Sequence, residues 1–321
     1  MKNKGIVIFL VVLGIVIVAV IVGDFISTRP DKQPGNPYEL KIDDLKEVDP
    51  KLVIYHETRN FQTNLDSVKG IAYHSGILYL AGDKKVQVID NSGKLIREID
   101  LPGVPSCIQA GEGKILVGLV KSVSVYNSDG TLDSEWPVFD ENSVVTSIAI
   151  KGKMVFIADA GKRCVYNFKI TGEKVGEFEG KASNEELHGF VVPSPFFDLA
   201  VNSDGELWVV NPGNHSLENY TDEGVLRGFW KKASVDIEGF TGCCNPAHFT
   251  FLPDGNFVTS EKGIVRIKIY RPSGDFVGVV APVSKFEGEY YAPDVTTDEN
   301  GNVYALDFER KLVRMFEPLN Q

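Results

Sequence analysis

The chain has 321 residues, of which 43% are hydrophobic and 24% charged, with 31 glycines and a formal net charge of -11. This composition indicates a folded protein, and its glycines and aromatic residues favour short strands and turns over long helices. The acidic charge, without a clustered Lys/Arg run, argues against nucleic acid as a partner. Four cysteines without a paired CxxC spacing are too few for a disulfide scaffold and do not form a zinc motif.

The first predicted element is a membrane anchor, because residues 5–23 are uncharged and strongly apolar. At helical rise they span roughly 28 Å, about one hydrocarbon core. Lys2 and Lys4 precede this segment and Asp24 follows it, so the positive-inside rule predicts a cytoplasmic N-terminus and an external body, periplasmic or extracellular. A cleaved signal peptide is the alternative, but its apolar region is usually shorter and ends at a small-residue site. We expect residues 1–26 to be a single-pass anchor in the cell membrane.

A polar tether is predicted for residues 27–50, where four prolines alternate with Lys and Asp residues. Such a composition favours an extended, unpacked segment. The body that follows is acidic and is not expected to adhere to anionic lipid by charge. The chain is therefore expected to contact the membrane through its N-terminal helix alone.

The body, residues 51–321, is a repeat. An apolar strand, a turn with Gly and a second strand rich in aromatic and β-branched residues recur six times, with turn glycines at Gly76, Gly113, Gly152, Gly205, Gly255 and Gly301. A third strand and a second Gly turn follow in the first five units. Alternating apolar positions and DG, SG or NG steps predict antiparallel strands and hairpins. Four strands in roughly 40–50 residues form one blade of a β-propeller, so we predict an all-β, six-bladed propeller.

The two ends of the repeat each carry an odd strand. The last unit stops after its third strand, at residues 312–316, and an unassigned strand at residues 52–58 precedes the first unit. Pairing the two would complete the sixth blade and satisfy an open sheet edge. The sequence therefore predicts that the early strand closes the ring.

The turns and third strands also carry a family resemblance. Residues 298–316 (DENGNVYALDFERKLVRMF), 203–209 (SDGELWV) and 253–258 (PDGNFV) resemble NHL-repeat six-bladed propellers, and the resemblance covers about residues 52–320. It implies the fold and several unrelated activities: protein-binding scaffolds, sugar-lactone hydrolases and the lyase that completes peptide amidation. The resemblance does not choose among them.

A candidate site follows from aligning the units. One position, directly before the apolar pair of each first strand, should face the central channel near its mouth. It holds Gly70, Cys107, Ser147, Asp198, His248 and Asp294. Two carboxylates, an imidazole and a thiol around one axis would suit a divalent metal or an acid/base site. Alternatively, these side chains are the polar residues that any solvated channel mouth requires.

The connections into the last three units are long, at residues 179–195, 231–246 and 284–290, and should emerge beside that mouth. Long loops on a rigid scaffold are where binding usually lies. Within the second of them, Cys243 and Cys244 are adjacent and His248 follows. Three interpretations of the pair remain open. The cysteines are oxidised, either to each other or, preferably, with one of them in a disulfide with Cys107. Alternatively, they bind a soft metal together with His248, or they simply pack in the loop.

Two other sets of residues receive structural interpretations. Cys164 occupies the third-strand position of Val86 and Val123, so we expect a buried packing thiol. Residues 260–266, which include Glu261, are interpreted as polar surface at a blade edge, with the alternative that Glu261 faces the channel.

Two functions remain open at this point. The first is an external, membrane-anchored binding or scaffold module that recognises a protein, peptide or glycan ligand with the loops before the last three units. The second is a metal-dependent propeller enzyme, a lyase or hydrolase, that uses Asp198, His248 and Asp294, with Cys107, Cys243 or Cys244 as further candidates. A redox role of the adjacent cysteines is a third, weaker hypothesis. The mixed residue types of the aligned ring favour the first.

Overall fold

The computed structural model describes residues 4–27, 45–137, 139–181, 189–288 and 290–319. The chain divides into two compact units, Met1–Ile42 and Asp43–Gln321. In the predicted tether, residues 28–44 lie outside the described residues, as do residues 182–188 of the long connection into the fourth repeat.

The first unit contains the predicted apolar helix, α1 (Lys4–Ser27), which extends the expected segment at both ends. Its described side chains are exposed and almost entirely apolar. At 1.5 Å per residue its 24 residues reach roughly 36 Å. The helix is therefore long and apolar enough to cross a membrane.

The second unit is an all-β propeller of six four-stranded antiparallel sheets, as the repeat predicts. The first blade contains β2 (Val68–His74), β3 (Ile77–Gly82), β4 (Lys85–Asp90) and β5 (Leu95–Asp100). The second contains β6 (Cys107–Gly111), β7 (Lys114–Gly118), β8 (Val123–Asn127) and β9 (Leu132–Trp136). The third contains β10 (Val145–Lys151), β11 (Met154–Asp159), β12 (Cys164–Lys169) and β13 (Lys174–Phe178).

The remaining blades repeat this order. The fourth contains β14 (Leu199–Val201), β15 (Leu207–Asn211), β16 (Ser216–Tyr220) and β17 (Leu226–Lys231). The fifth contains β18 (His248–Phe251), β19 (Phe257–Glu261), β20 (Arg266–Tyr270) and β21 (Phe276–Ala281). The sixth contains β22 (Asp294–Thr297), β23 (Val303–Asp307), β24 (Leu312–Pro318) and β1 (Tyr55–Gln62). Short 3-10 turns occur at Pro50–Leu52, Pro212–Asn214 and Val283–Lys285.

The predicted ring closure is confirmed, with a shift of the closing strand. Gln62 pairs with Leu312 and Phe61 with Val313, in antiparallel register. The strand runs from Tyr55 to Gln62 rather than over residues 52–58, because Pro50–Leu52 forms a 3-10 turn instead of extended chain. The sixth blade is thus built from both ends of the propeller unit, which removes an open sheet edge.

The core lies between the blades, because each sheet is covered on both faces. In β3, Leu78 and Leu80 pack in a cluster with Leu306 of the sixth blade, whereas Ala81 packs with Ile115 of the second. Successive strand residues point to opposite faces. The two middle strands of a blade are therefore almost continuously apolar and hold neighbouring blades together.

The topology also defines two ends of the propeller. Each innermost strand starts at the end of the propeller where the connection from the preceding blade arrives. We call this end the loop face. It contains the inter-blade connections and the turns between the second and third strands of each blade. β1 leads through its connection into β2 at the loop face, so Tyr55 lies at the opposite end. The chain preceding β1 therefore joins the propeller at the end away from the loop face.

Candidate functional site

The six aligned positions all lie at the start of an innermost strand. Cys107, His248 and Asp294 begin their strands, Ser147 and Gly70 lie near the starts of theirs, and Asp198 directly precedes β14. The residues other than Gly70 line one polar cavity of about 80 Å³ on the propeller axis. The cavity has room for a few water molecules, each of which occupies about 30 Å³ in the liquid.

Two of these side chains bind the next blade. Asp198 accepts the backbone N–H of Leu199 at 2.9 Å with one carboxylate oxygen and that of Phe249, in the fifth blade, at 2.8 Å with the other. The Ser147 hydroxyl donates to the Leu199 carbonyl at 3.2 Å and accepts its N–H at 3.4 Å. In both cases the partner directly follows the aligned residue of the next blade: Leu199 follows Asp198, and Phe249 follows His248. Part of the polar ring therefore ties inner strands together.

Asp294 makes the corresponding contact between the sixth and first blades. Its oxygens accept the N–H groups of Val295 and of Ile71, both at 2.9 Å. Burial raises the pKa of the Asp294 carboxyl to about 6. The negative charge of Asp198 raises this pKa further, whereas His248 lowers it. The group is therefore a carboxylate that protonates just below neutrality.

His248 lies between the two carboxylates. Its Nδ1 is 3.7 Å from Asp198 Oδ2 and 3.8 Å from Asp294 Oδ1. Burial alone lowers the pKa of His248, but the nearby carboxylates of Asp198 and Asp294 outweigh it and raise the pKa above 6.5. The two carboxylates therefore favour the protonated imidazole. The ring edge of Phe196 covers the imidazole, with centroids 5.7 Å apart.

Two positions of the ring contribute no reactive group. A Cβ on Gly70 would lie 3.3 Å from the Cα of Cys107 and from the backbone nitrogen of Ile108, so glycine lets the inner strands of the first two blades approach closely. Burial raises the pKa of the Cys107 thiol to about 12. Cys107 is therefore a neutral thiol and a poor nucleophile or metal ligand at physiological pH.

The described residues do not provide the metal-binding site that the enzyme hypothesis requires. No group of three or more His, Cys, Asp or Glu side chains among these residues is arranged to hold a metal ion. The oxygens of Asp198 and Asp294 are already engaged by backbone N–H groups. Cys243 and Cys244 are not among the residues that line the axial cavity.

The expected disulfide of Cys107 with Cys243 or Cys244 is absent, since all four cysteines of the chain are free thiols. Cys107 packs against Gly118 and Val145 in the core between the second and third blades. Cys243 and Cys244 lie in the connection into the fifth blade, with their sulfurs 3.1 Å apart. Sequence alignment places Cys107 in the channel wall but gives no distance to that loop. Cys164 is buried in the core, as its strand position predicts.

A buried charge cluster corrects the surface interpretation of Glu261. Glu261 is fully buried and binds Lys268 Nζ at 2.6 Å and Arg266 Nε at 3.2 Å, and both basic side chains are also buried. Burial lowers the pKa of Lys268 to about 8, against the opposing effect of Glu261. In the sequence, the only sign of this buried cluster is the alternation of charged and apolar residues in β20. The same alternation is typical of a half-exposed strand, so it did not predict burial.

The loop face carries exposed apolar and aromatic side chains. Tyr290 and Tyr291, in the connection into the sixth blade, are 82% and 55% exposed, and the Tyr291 ring is 5.9 Å from that of Phe308. Val235, in the connection into the fifth blade, is also exposed. Lys262 Nζ lies 4.9 Å from the ring centre of Phe196 beside the channel mouth. This end of the propeller thus offers aromatic and basic groups on its surface.

Comparisons with known proteins support the propeller fold. No family model and no curated protein matches the chain. Among solved structures, a streptogramin B lyase is similar at 14% identity, with a TM-score of 0.59 over 83% of this chain and 98% of that one. Virginiamycin B lyase from Staphylococcus aureus has 14% identity, a TM-score of 0.58 and coverages of 81% and 99%. The WD40 propeller domain of Doa1 has 14% identity, a TM-score of 0.56 and 78% coverage of each chain.

Proposed function

We propose that the chain is an NHL-like propeller anchored in the cell membrane by α1, with its body outside the cytoplasm, and that the loop face binds a protein, peptide or glycan. The charge asymmetry of Lys2 and Lys4 against Asp24 supports this orientation. The chain before β1 joins the propeller at the end opposite the loop face.

The observation that carries the proposal is the contrast between the small cavity on the propeller axis and the exposed aromatic side chains of the loop face. The axial cavity of about 80 Å³ is far below the roughly 300–1,000 Å³ of small-molecule sites. Two of its carboxylates are engaged in blade-to-blade hydrogen bonds. Tyr290 and Tyr291, by contrast, are exposed side by side, and tyrosine is enriched in protein interfaces. A surface partner fits this molecule better than an enclosed substrate.

Site-specific photo-cross-linking in the native membrane tests the proposal. A photoreactive side chain in place of Tyr290 is expected to give an adduct of reproducible mass, which weakens at least several-fold when Tyr291→Ala is added. The matched control position is Leu132, which is 54% exposed at the end opposite the loop face. Protease or glycosidase digestion of the adduct assigns its chemical class. Equal adducts at Tyr290 and Leu132, or none at Tyr290, would contradict the proposal.

A second candidate function, acid/base catalysis at the channel mouth, is supported by His248 and its two carboxylates. The raised pKa values of His248 and Asp294 suit proton transfer near neutral pH. The cavity size restricts such a reaction to a group that protrudes into the mouth from a larger partner. The lyase structures are alike in fold alone, so this candidate depends on the cluster itself. Turnover of a bound partner that is lost in His248→Gln, with cross-linking at Tyr290 retained, would establish it.

A further inference from the structure

Cys243 and Cys244 form a vicinal thiol pair that the binding function does not use. Their sulfurs are in direct contact at 3.1 Å. Cys243 is exposed, whereas Cys244 is fully buried. One thiol is thus open to reagents from solution, and the second lies directly behind it.

The loop before the pair is fixed from the fifth blade. Lys268 Nζ donates to the carbonyls of Ile237 and Gly239 at 3.1 and 2.6 Å, and the Tyr270 hydroxyl donates to the carbonyl of Glu238 at 3.0 Å. Three consecutive carbonyls are therefore bound by buried side chains. The Glu261–Lys268 ion pair fixes this support in the core.

The loop after the pair is fixed by one side chain. Asn245 Nδ2 donates to the carbonyls of Thr241 and Lys262 at 2.6 and 2.9 Å, and Asn245 Oδ1 accepts the N–H of Lys262 at 2.9 Å. The carbonyl of Asn245 also contacts Nδ1 of His215 at 2.8 Å. Anchors on both sides hold the two sulfurs in contact, which favours reaction of one with the other over reaction with a third thiol.

We propose that Cys243 and Cys244 are a dithiol–disulfide site that exchanges electrons with disulfides, of proteins or small thiols, reaching the loop face. The Cys243 thiolate attacks a disulfide R–S–S–R, forms a mixed disulfide and releases one R–S⁻, which takes up the proton that Cys243 lost. The Cys244 thiolate then attacks the Cys243 sulfur and expels the second R–S⁻, which is protonated in turn. The chain loses two protons and two electrons, and R–S–S–R takes them up to become two R–SH.

The same geometry sets the pH dependence of the first step. Hydrogen bonding to Cys244 and the charge of that sulfur raise the pKa of the Cys243 thiol above 9.0. Because the thiolate is the attacking species, the rate should keep increasing above pH 9.

Thiol counting on the full chain in detergent tests the proposal, with glutathione disulfide as the oxidant. The number of thiols titrated after denaturation should fall from four to two, and peptide mapping should assign the loss to Cys243 and Cys244. Cys244→Ser should stop at one stable glutathione adduct on Cys243, and Cys243→Ser should not react. Cys164→Ala, a control outside the loop, should still lose two thiols.

Phenylarsine oxide provides a measurement that needs no oxidation, since trivalent arsenic bridges two neighbouring thiols. The reduced chain should retain one equivalent through desalting, and either single serine variant should retain none. The unchanged thermal midpoint of both variants would show that the propeller is intact. A persistent glutathione adduct on the unsubstituted chain, a disulfide between two chains, or four unreacted thiols at equilibrium would each overturn the proposal.

Discussion

Asp294 Oδ2 accepts the backbone N–H of Ile71 at 2.9 Å, although the two residues are 223 positions apart in the chain. The contact joins the last blade to the first at the propeller axis. Asp198 makes the equivalent contact from the fourth blade to the fifth, through Phe249. Between the fifth and sixth blades, His248 faces Asp294 at 3.8 Å, so an ionic contact bridges that seam near the axis.

Asp198→Ala should destabilise the propeller, because it leaves the N–H groups of Leu199 and Phe249 without their carboxylate partner. We expect a loss of about 2–4 kcal/mol, since an unsatisfied buried donor costs about 1–3 kcal/mol. Ser147→Ala should cost less, about 1 kcal/mol. Thermal unfolding measures both, with the exposed Glu141→Ala as control. Equal midpoints for Asp198→Ala and Glu141→Ala would contradict the structural role of this carboxylate.

The thermal midpoint should fall as pH rises from about 5 to 8. The pKa of Asp294 is raised to about 6 and that of His248 above 6.5, so both groups bind protons more tightly in the folded chain than in the unfolded one. The stability they contribute is present at low pH and is lost as pH rises through these folded values. Lys69, Cys107 and Asp198 are the other titratable residues that line this cavity.

Asp294→Asn should flatten this pH dependence, because it removes one group with a raised pKa and also the negative charge that helps to raise the pKa of His248. The effect would be visible as a smaller change in the thermal midpoint between pH 5 and 8. A change of 1 kcal/mol corresponds to about 2–4 °C for a domain of 150–250 residues. The control is His74→Gln, since His74 is exposed at the end of β2. If His74→Gln flattened the profile as much, the axial cluster would not be its source.

Arg314→Met should weaken the ring closure strongly. Arg314 binds Glu57 of the closing strand at 2.8 Å and Asp307 at 2.9 Å, with its side chain only 5% exposed. Removing one member of a buried ion pair costs about 3–5 kcal/mol, because the partner charges stay buried. Arg310→Met provides the matched control, since the Arg310–Glu287 pair is exposed and worth about 1 kcal/mol or less.

Limited proteolysis reports on the closure directly. Loss of Arg314 should expose β1 to cleavage near the Glu57 bulge, where the strand pairing is irregular. The Arg310→Met variant should be cleaved at the rate of the unsubstituted chain. Similar cleavage of both variants would show that the ion pairs with Arg314 do not hold the closing strand.

Reporter fusions test the predicted orientation in the membrane. An alkaline phosphatase fused after the propeller should be active, and a green fluorescent protein at the same position should be dark, if the body is exported. Reversing the charge at both ends of α1, with Lys2→Glu, Lys4→Glu and Asp24→Lys, should lower the phosphatase activity. A bright fluorescent fusion on the unsubstituted chain would contradict the external location.

The apolar helix, the six repeats and the equivalence of Gly70, Cys107 and the other aligned positions could be predicted from the sequence. They are local features, since strand alternation and turn glycines such as Gly76, at φ +82°, are set by neighbouring residues. The ring closure is a long-range contact, and it could be predicted only because each end of the repeat carries an odd strand.

How the polar residues are used depends on the tertiary structure. The carboxylate of Asp294 holds Ile71, Cys107 packs in the core between the second and third blades, and Glu261 is buried with Lys268 rather than exposed. Each of these facts depends on contacts between blades, or between a blade and a loop, that no local spacing encodes. The period of a repeat fixes the strand that a residue occupies, but its surroundings depend on packing against residues far away in the chain.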